Sequence, residues 1–148
     1  MKRKVRDKPN EILLADDSLG DVRLCQEAFK ESEMPNKLNV VHDGVEAMSY
    51  LRREGKYADA RRPDIILLDL NMPKMDGREV LAEIKTDERL KRIPVVILTV
   101  SAAEKDITNC YNNHANCYIT KPVVLEEFIE AIKSIWVFWF NTVKRPVK

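Results

Sequence analysis

A chain of 148 residues, 45% hydrophobic and 33% charged with a net charge of +1, is sized for one globular domain and lacks the charge excess of a nucleic-acid binder. Its 3 cysteines, Cys25, Cys110 and Cys117, are odd in number and have no short paired spacing, which argues against a disulfide framework or a zinc site and suits a reducing cytosol. The basic stretch from Met1 to Lys8 is followed by no apolar signal core, and no apolar run reaches the roughly 18 residues of a membrane span, so a soluble, cytoplasmic protein with no membrane partner is expected.

Strand and helix signals alternate along the chain. Glu11 to Ala15 reads as the first strand, and Ser18 with Asp21 opens a helix as a capping-box-like pair. Val22, Cys25 and Phe29 give that helix its apolar face, and Met34-Pro35-Asn36 is expected to end it. Leu38 to Val41 is a second strand. Asp43-Gly44 then turns into a helix with Ala47, Met48 and Leu51 at helical spacing. A polar stretch from Arg52 to Arg62 leads through Pro63 to the strand Ile65 to Leu68. After Asp69 come the loop Asn71 to Gly77 and a helix carrying Val80, Leu81 and Ile84. Ile93-Pro94 precedes the strand Val95 to Leu98. A helix from about Ala103 to Asn112, a strand from Cys117 to Thr120 and a helix from about Val124 to Phe140 complete the series. Five strands alternating with five helices predict an α/β, doubly wound parallel sheet with helices on both faces. The domain is expected over 10–141, with 1–9 as an extension and 142–148 as a tail.

Asp16, Asp17, Asp69, Thr99 and Lys121 each follow one of the apolar strands. Ligands of open parallel sheets bind outside the carboxyl ends of the strands, so these side chains should converge on one rim. Two carboxylates about 4 Å apart repel by about 4 kcal/mol at an effective dielectric of about 20. A cluster of three therefore calls for a cation, and hard oxygen ligands with room for water and phosphate suit Mg²⁺. Taken singly, each residue has a plainer reading: the two acids satisfy a helix N-terminus, Asp69 begins a turn, Thr99 ends a strand, and Lys121 is a solvated charge. Their joint placement favours a site for a divalent metal and a phosphoryl group.

The segments Leu-Ala-Asp16-Asp17-Ser, Leu-Leu-Asp69-Leu-Asn-Met-Pro-Lys-Met-Asp-Gly77, Leu-Thr99 and Thr-Lys121-Pro122 resemble the receiver domain of two-component response regulators over about residues 10 to 140. The resemblance implies a flavodoxin-like (βα)5 three-layer sandwich with strand order 2-1-3-4-5. It implies Asp69 as the phosphoacceptor for a sensor histidine kinase. Asp16, Asp17, Asp69 and the carbonyl of Asn71 would be the Mg²⁺ ligands, with Asp16 acting mostly through water. Thr99 and Lys121 would bind phosphoryl oxygens, Tyr118 would be the aromatic switch, and a cis Lys121-Pro122 bond would orient the lysine. Such a protein is a signalling switch and not an enzyme in the ordinary sense. One departure is Val100, where the family carries a small residue; it is expected to crowd the entrance to the phosphorylation site.

No output domain is recognisable after the last helix, so a single-domain regulator working through protein contacts is expected. Leu125, Phe128, Ile129, Ile132, Ile135, Trp136 and Trp139 form one helical stripe, whose plainest role is packing on the sheet. Trp136-Val137-Phe138-Trp139-Phe140 is apolar all round, which points to an association surface at Trp136, Phe138 and Trp139: a homodimer or a kinase-docking face on the fourth helix, fifth strand and fifth helix. The long segment from Arg53 to Pro63 and the aromatic end followed by Asn141-Thr142-Val143 are similar to the single-domain regulators of cyanobacterial-type phytochrome kinases. Competing readings are a haloacid dehalogenase-type phosphatase, a flavin binder and a constitutive dimeric scaffold with an unused phosphate site. Asn71 cannot serve the first as a general acid, and the Asp16-Asp17 loop would repel the phosphate required by the second. His42 and His114 stand isolated and invite no phosphorelay role.

Overall fold

The β-branched and leucine-rich runs form the centre of a five-stranded parallel sheet of order β2-β1-β3-β4-β5 in the computed structural model, which describes residues 10–32, 35–121 and 124–136. The strands are β1 (Asn10–Ala15), β2 (Asn36–Val41), β3 (Ile65–Leu68), β4 (Val95–Thr99) and β5 (Cys117–Thr120). The helices are α1 (Leu19–Glu31), α2 (Gly44–Arg52), α3 (Gly77–Thr86), α4 (Glu104–Asn112) and α5 (Leu125–Trp136). The expected flavodoxin-like order is thus the observed one.

Strand parity sorts the interior into two cores. Leu13, Ala15, Ile66, Leu68, Val95 and Ile97 point to the face covered by α2, α3 and α4, where they meet Met48, Leu51, Leu81, Ile84 and Cys110. Ile12, Leu14, Ile65, Leu67, Val96 and Leu98 point the other way, onto Cys25 and Phe29 of α1 and Phe128 and Ile132 of α5. Both parities of β3 and β4 are buried, as central parallel strands require. Burial in the second core pushes the Cys25 thiol up to about 12, which keeps it unreactive.

Several boundaries differ from the sequence reading. β2 begins at Asn36 and not Leu38, because its first residues pair with Asn10 and Glu11 as a half-exposed edge strand that needs no apolar run. α1 stops at Glu31 with Ser32 as its C-cap, ahead of the Met34-Pro35-Asn36 segment. The polar stretch after α2 contains a 3₁₀ turn, Gly55–Tyr57, held where the Tyr57 hydroxyl donates to the Glu46 carboxylate. The extension 1–9, the tail 142–148, the Lys121-Pro122 bond, Phe138, Trp139 and the side chain of Trp136 lie outside the described residues.

Two Asp-Gly helix starts fix the β3–α3 loop. Asp43 and Asp76 are N-caps, accepting from the Glu46 and Arg78 amides at 2.7 and 2.8 Å. A Cβ on Gly77 would lie 2.1 Å from the Asp69 carbonyl oxygen, and one on Gly44 would lie 2.0 Å from that of Met75. Both contacts are to backbone, so neither glycine tolerates a methyl group without moving the chain. Gly77→Ala is expected to cost about 1–3 kcal/mol in urea unfolding, the usual penalty of overpacking. An unchanged midpoint would show that the loop yields freely.

Candidate functional site

The carboxyl rim of the sheet gathers acids from two strands around one lysine. Asp16 follows β1 and Asp69 follows β3; both are buried, while Asp17 is exposed. Ligand oxygens of Asp16, Asp17 and Asp69 all lie within 4.8 Å of one another. Lys121, just past β5 and 8% exposed, donates to Asp16 Oδ2 at 2.8 Å and Asp69 Oδ2 at 3.2 Å. The remaining oxygens are anchored by main chain: Asp16 Oδ1 accepts from the Ser18 amide at 2.9 Å, and Asp69 Oδ1 from the Asn71 amide at 3.1 Å. Thr99, fully buried at the end of β4, accepts from Asn71 Nδ2 at 3.4 Å. The residues expected at one rim are therefore together.

A fourth acid was missed. Asp21 in the first turn of α1 takes a hydrogen bond from Lys121 Nζ at 2.5 Å, while its amide donates to the Ser18 hydroxyl at 3.3 Å. Read along the chain, it is half of a capping pair. Its second role follows only once α1 is seen to start beside the end of β1 and to pack along α5, which brings Asp21 to Lys121. The signal available in sequence is an acid in a first helical turn at the same rim.

Burial opposes every charge here, and the balance differs by residue. It pushes the Asp16 carboxyl up despite the Lys121 ammonium and the Ser18 amide, with the Asp69 charge pushing the same way. It also works against the Lys121 ammonium, but hydrogen bonds to Asp16 and Asp21 and the charges of Asp16 and Asp69 outweigh it and hold the ammonium above its ordinary range. Three carboxylates share one ammonium and a fourth, Asp17, stands beside them, so the rim is under-neutralised. An all-oxygen donor set of this kind fits a hard divalent cation and is unsuited to zinc.

A second polar cluster adjoins the first. Tyr118 packs against the α2–α4 core and its hydroxyl donates to the Ser101 carbonyl at 2.7 Å. The Ser101 hydroxyl donates to Asp106 Oδ2 at 2.6 Å, and Arg78 grips the Asp106 carboxylate through Nε and Nη2 at 2.8 and 2.7 Å. Arg78 also reaches the Asp76 cap at 3.0 Å. A fork of this kind locks a planar carboxylate in orientation as well as distance. The start of α3, the β4–α4 loop, α4 and β5 are thereby joined. Val100, next to Thr99, is 63% exposed.

The model of the response regulator receiver domain matches residues 12–133. Response regulator Rcp1 of Synechocystis sp. is 49% identical over 138 residues, spanning 93% of this chain and 94% of its own. The solved structure of the phosphorylated cyanobacterial phytochrome response regulator RcpA is similar with a TM-score of 0.86 at 53% identity, covering 94% of this chain and 99% of that one. The Mn²⁺-bound form of Rcp1 has a TM-score of 0.84 at 48% identity, covering 94% and 100%.

Proposed function

The chain belongs to the response regulator receiver family, and we propose that it accepts a phosphoryl group on Asp69 from a sensor histidine kinase and passes the signal on through protein contacts. What carries this reading is the meeting of Asp16, Asp69 and Lys121, the first and last of them 105 positions apart, beside Thr99. A carboxylate oxygen of Asp69 attacks the phosphorus of a phosphohistidine protonated on its other ring nitrogen, the P–N bond breaks with its electron pair kept by nitrogen, and neutral imidazole leaves. The product is an acyl phosphate.

In-line transfer needs positioning and neutralisation more than acid–base help. The Asn71 amide fixes one Asp69 oxygen, and Lys121 sits against the other, where its charge meets the incoming phosphoryl oxygens. Thr99 offers a buried hydroxyl to the same oxygens. Asp16, Asp17, Asp69 and the Asn71 carbonyl would hold Mg²⁺, Asp16 acting mostly through water. When bound, the ion supplies the positive charge that the four acids lack. The Mn²⁺-bound form of Rcp1 supports a divalent metal in this family.

Movement of Thr99 toward the phosphate would be felt at Tyr118, the switch residue, and along α4, β5 and α5. Those elements form the proposed contact face for a homodimer or the kinase, extended by Trp136, Phe138 and Trp139. The name of RcpA, a cyanobacterial phytochrome response regulator, supports a phytochrome-like cognate kinase.

Incubation with acetyl phosphate and Mg²⁺ followed by peptide mapping tests the assignment. One phosphoryl mass on the Asp69 peptide is expected, and labelling elsewhere or none overturns it. Sedimentation with and without beryllofluoride plus Mg²⁺ separates a switch from a constitutive scaffold, since a scaffold gives the same species in both. Val100→Ala is expected to accelerate phosphorylation or hydrolysis by opening the rim. Equal rates for both steps would remove any steric role for this side chain.

A further inference from the structure

The end of the sheet opposite the acids is strongly basic. The C-terminal end of α2, the segment entering β3 and the α3–β4 loop enclose a groove of about 830 Å³. Arg52, Arg53, Arg61, Arg62, Arg89 and Arg92 line it, against Glu54, Asp87 and Glu88. On a chain of net charge +1, this is a local concentration of positive charge with no counterpart in the composition.

The acids are largely spoken for. Asp87 accepts from the Arg89 amide at 2.7 Å and lies 4.0 Å from Arg52, while Glu88 pairs with Lys91 at 3.0 Å. Arg52 is further engaged by Glu83 at 3.1 Å, and Arg62 donates to the Arg89 carbonyl. The guanidinium groups of Arg53, Arg61, Arg89 and Arg92 have no hydrogen-bonding or ionic partner among the described residues, and all four residues are exposed. Burial first, and then the charges of Arg53 and Arg92, pull the Arg62 guanidinium below its ordinary range, with the Asp87 charge opposing them. Arg53 has φ 58 and ψ 47 as the left-handed C-cap of α2, so a charged side chain stands where unstrained glycine is the usual residue.

Two of the arginines neutralise the negative end of α2, which accounts for Arg52 and Arg53 alone. Arg61, Arg89 and Arg92 come from loops and meet no such need. The groove is open along its length, and its donors are spread over three segments with no buried polar group aimed at a single point. That shape suits an extended chain of carboxylates better than a compact phosphate cluster, and guanidinium forks match carboxylates one by one.

We propose that this groove docks an acidic, Asp/Glu-rich segment of a partner protein. Because it lies at the amino ends of the strands, docking leaves the Asp69 rim open, so anchoring and phosphoryl transfer engage separate surfaces.

The probe is a fluorescein-labelled ten-residue peptide of alternating Glu and Asp, followed by fluorescence anisotropy on the full chain at low and physiological salt. Arg61→Ser with Arg92→Ser is expected to weaken binding at least tenfold, with unchanged circular dichroism. Lys30→Ser with Lys133→Ser removes the same charge elsewhere and is expected to leave binding within twofold. Equal losses in the two double variants, or no binding by the wild type, would overturn the proposal. So would displacement of the peptide by tripolyphosphate or a short oligonucleotide at lower concentration than by unlabelled peptide. Retained binding in Asp69→Asn separates this outcome from the phosphoacceptor assignment.

Discussion

Asp69→Asn is expected to abolish incorporation of phosphate from acetyl phosphate and Mg²⁺, leaving labelling at background. The amide offers no anionic oxygen for attack on phosphorus. Of the neighbouring acids, Asp16 is fully buried, Asp21 is held by Lys121, and Asp17 is a proposed metal ligand. The fold is expected to survive in the variant. An asparagine oxygen still accepts from the Asn71 amide, Lys121 loses its Asp69 acceptor but keeps Asp16 and Asp21, and one charge leaves a cluster whose ligand oxygens lie within 4.8 Å of each other. Like charges at such a distance repel by a few kcal/mol at an effective dielectric of about 20. The melting temperature should therefore hold or rise, while calorimetric Mg²⁺ uptake weakens. A folded variant that still takes label would refute the assignment, and a lowered melting temperature would refute the expected stability.

Asp106→Asn is expected to lower stability by about 1–3 kcal/mol, the range for stranding a buried polar partner. Asp106 accepts from Arg78 twice and from the Ser101 hydroxyl once; the amide retains one oxygen and turns an NH₂ toward donors. The Arg78 side chain is 30% exposed and keeps Asp76, so the larger loss of a fully enclosed pair is not expected. The pH dependence has a definite sign. Hydrogen bonds from Arg78 and Ser101 hold the Asp106 carboxyl well below its ordinary value of 3.8. A carboxyl depressed by folding stabilises fully above the unfolded value and loses that contribution as pH falls through the folded one. The gap between wild type and variant should stay flat from about pH 8 to about pH 5 and narrow below about pH 4. Urea unfolding across that range measures it. A gap that widens in acid would mean the pair is not the source of the effect.

Strand and helix order, the parity of the central strands and the meeting of Asp16, Asp69, Thr99 and Lys121 at one rim were legible because local rules govern them. Apolar runs bounded by Asp, Gly and Pro mark buried strands, and the ends of such strands share an edge. What could not be read depends on distance in the chain. Arg78 and Asp106 are 28 positions apart, and each looks like a solvated charge on its own helix. Asp21 is hidden behind its capping role, and the groove arginines come from three segments that only the fold assembles. The polar start of β2 was missed because an edge strand with one open side has no need of the hydrophobic alternation by which strands are recognised.

The sheet is also a partition. Ile66 and Leu67 are neighbours in sequence yet belong to opposite cores, so a truncation at one is insulated from repacking at the other. Lys121 is strapped to α1 through Asp21, whereas Tyr118 and its hydrogen-bonded chain belong to the α3–α4 half. In the proposed switch, one half of the molecule would thus mount the lysine while the other carries the tyrosine's hydrogen-bonded chain, and a signal would reach α5 only across β5.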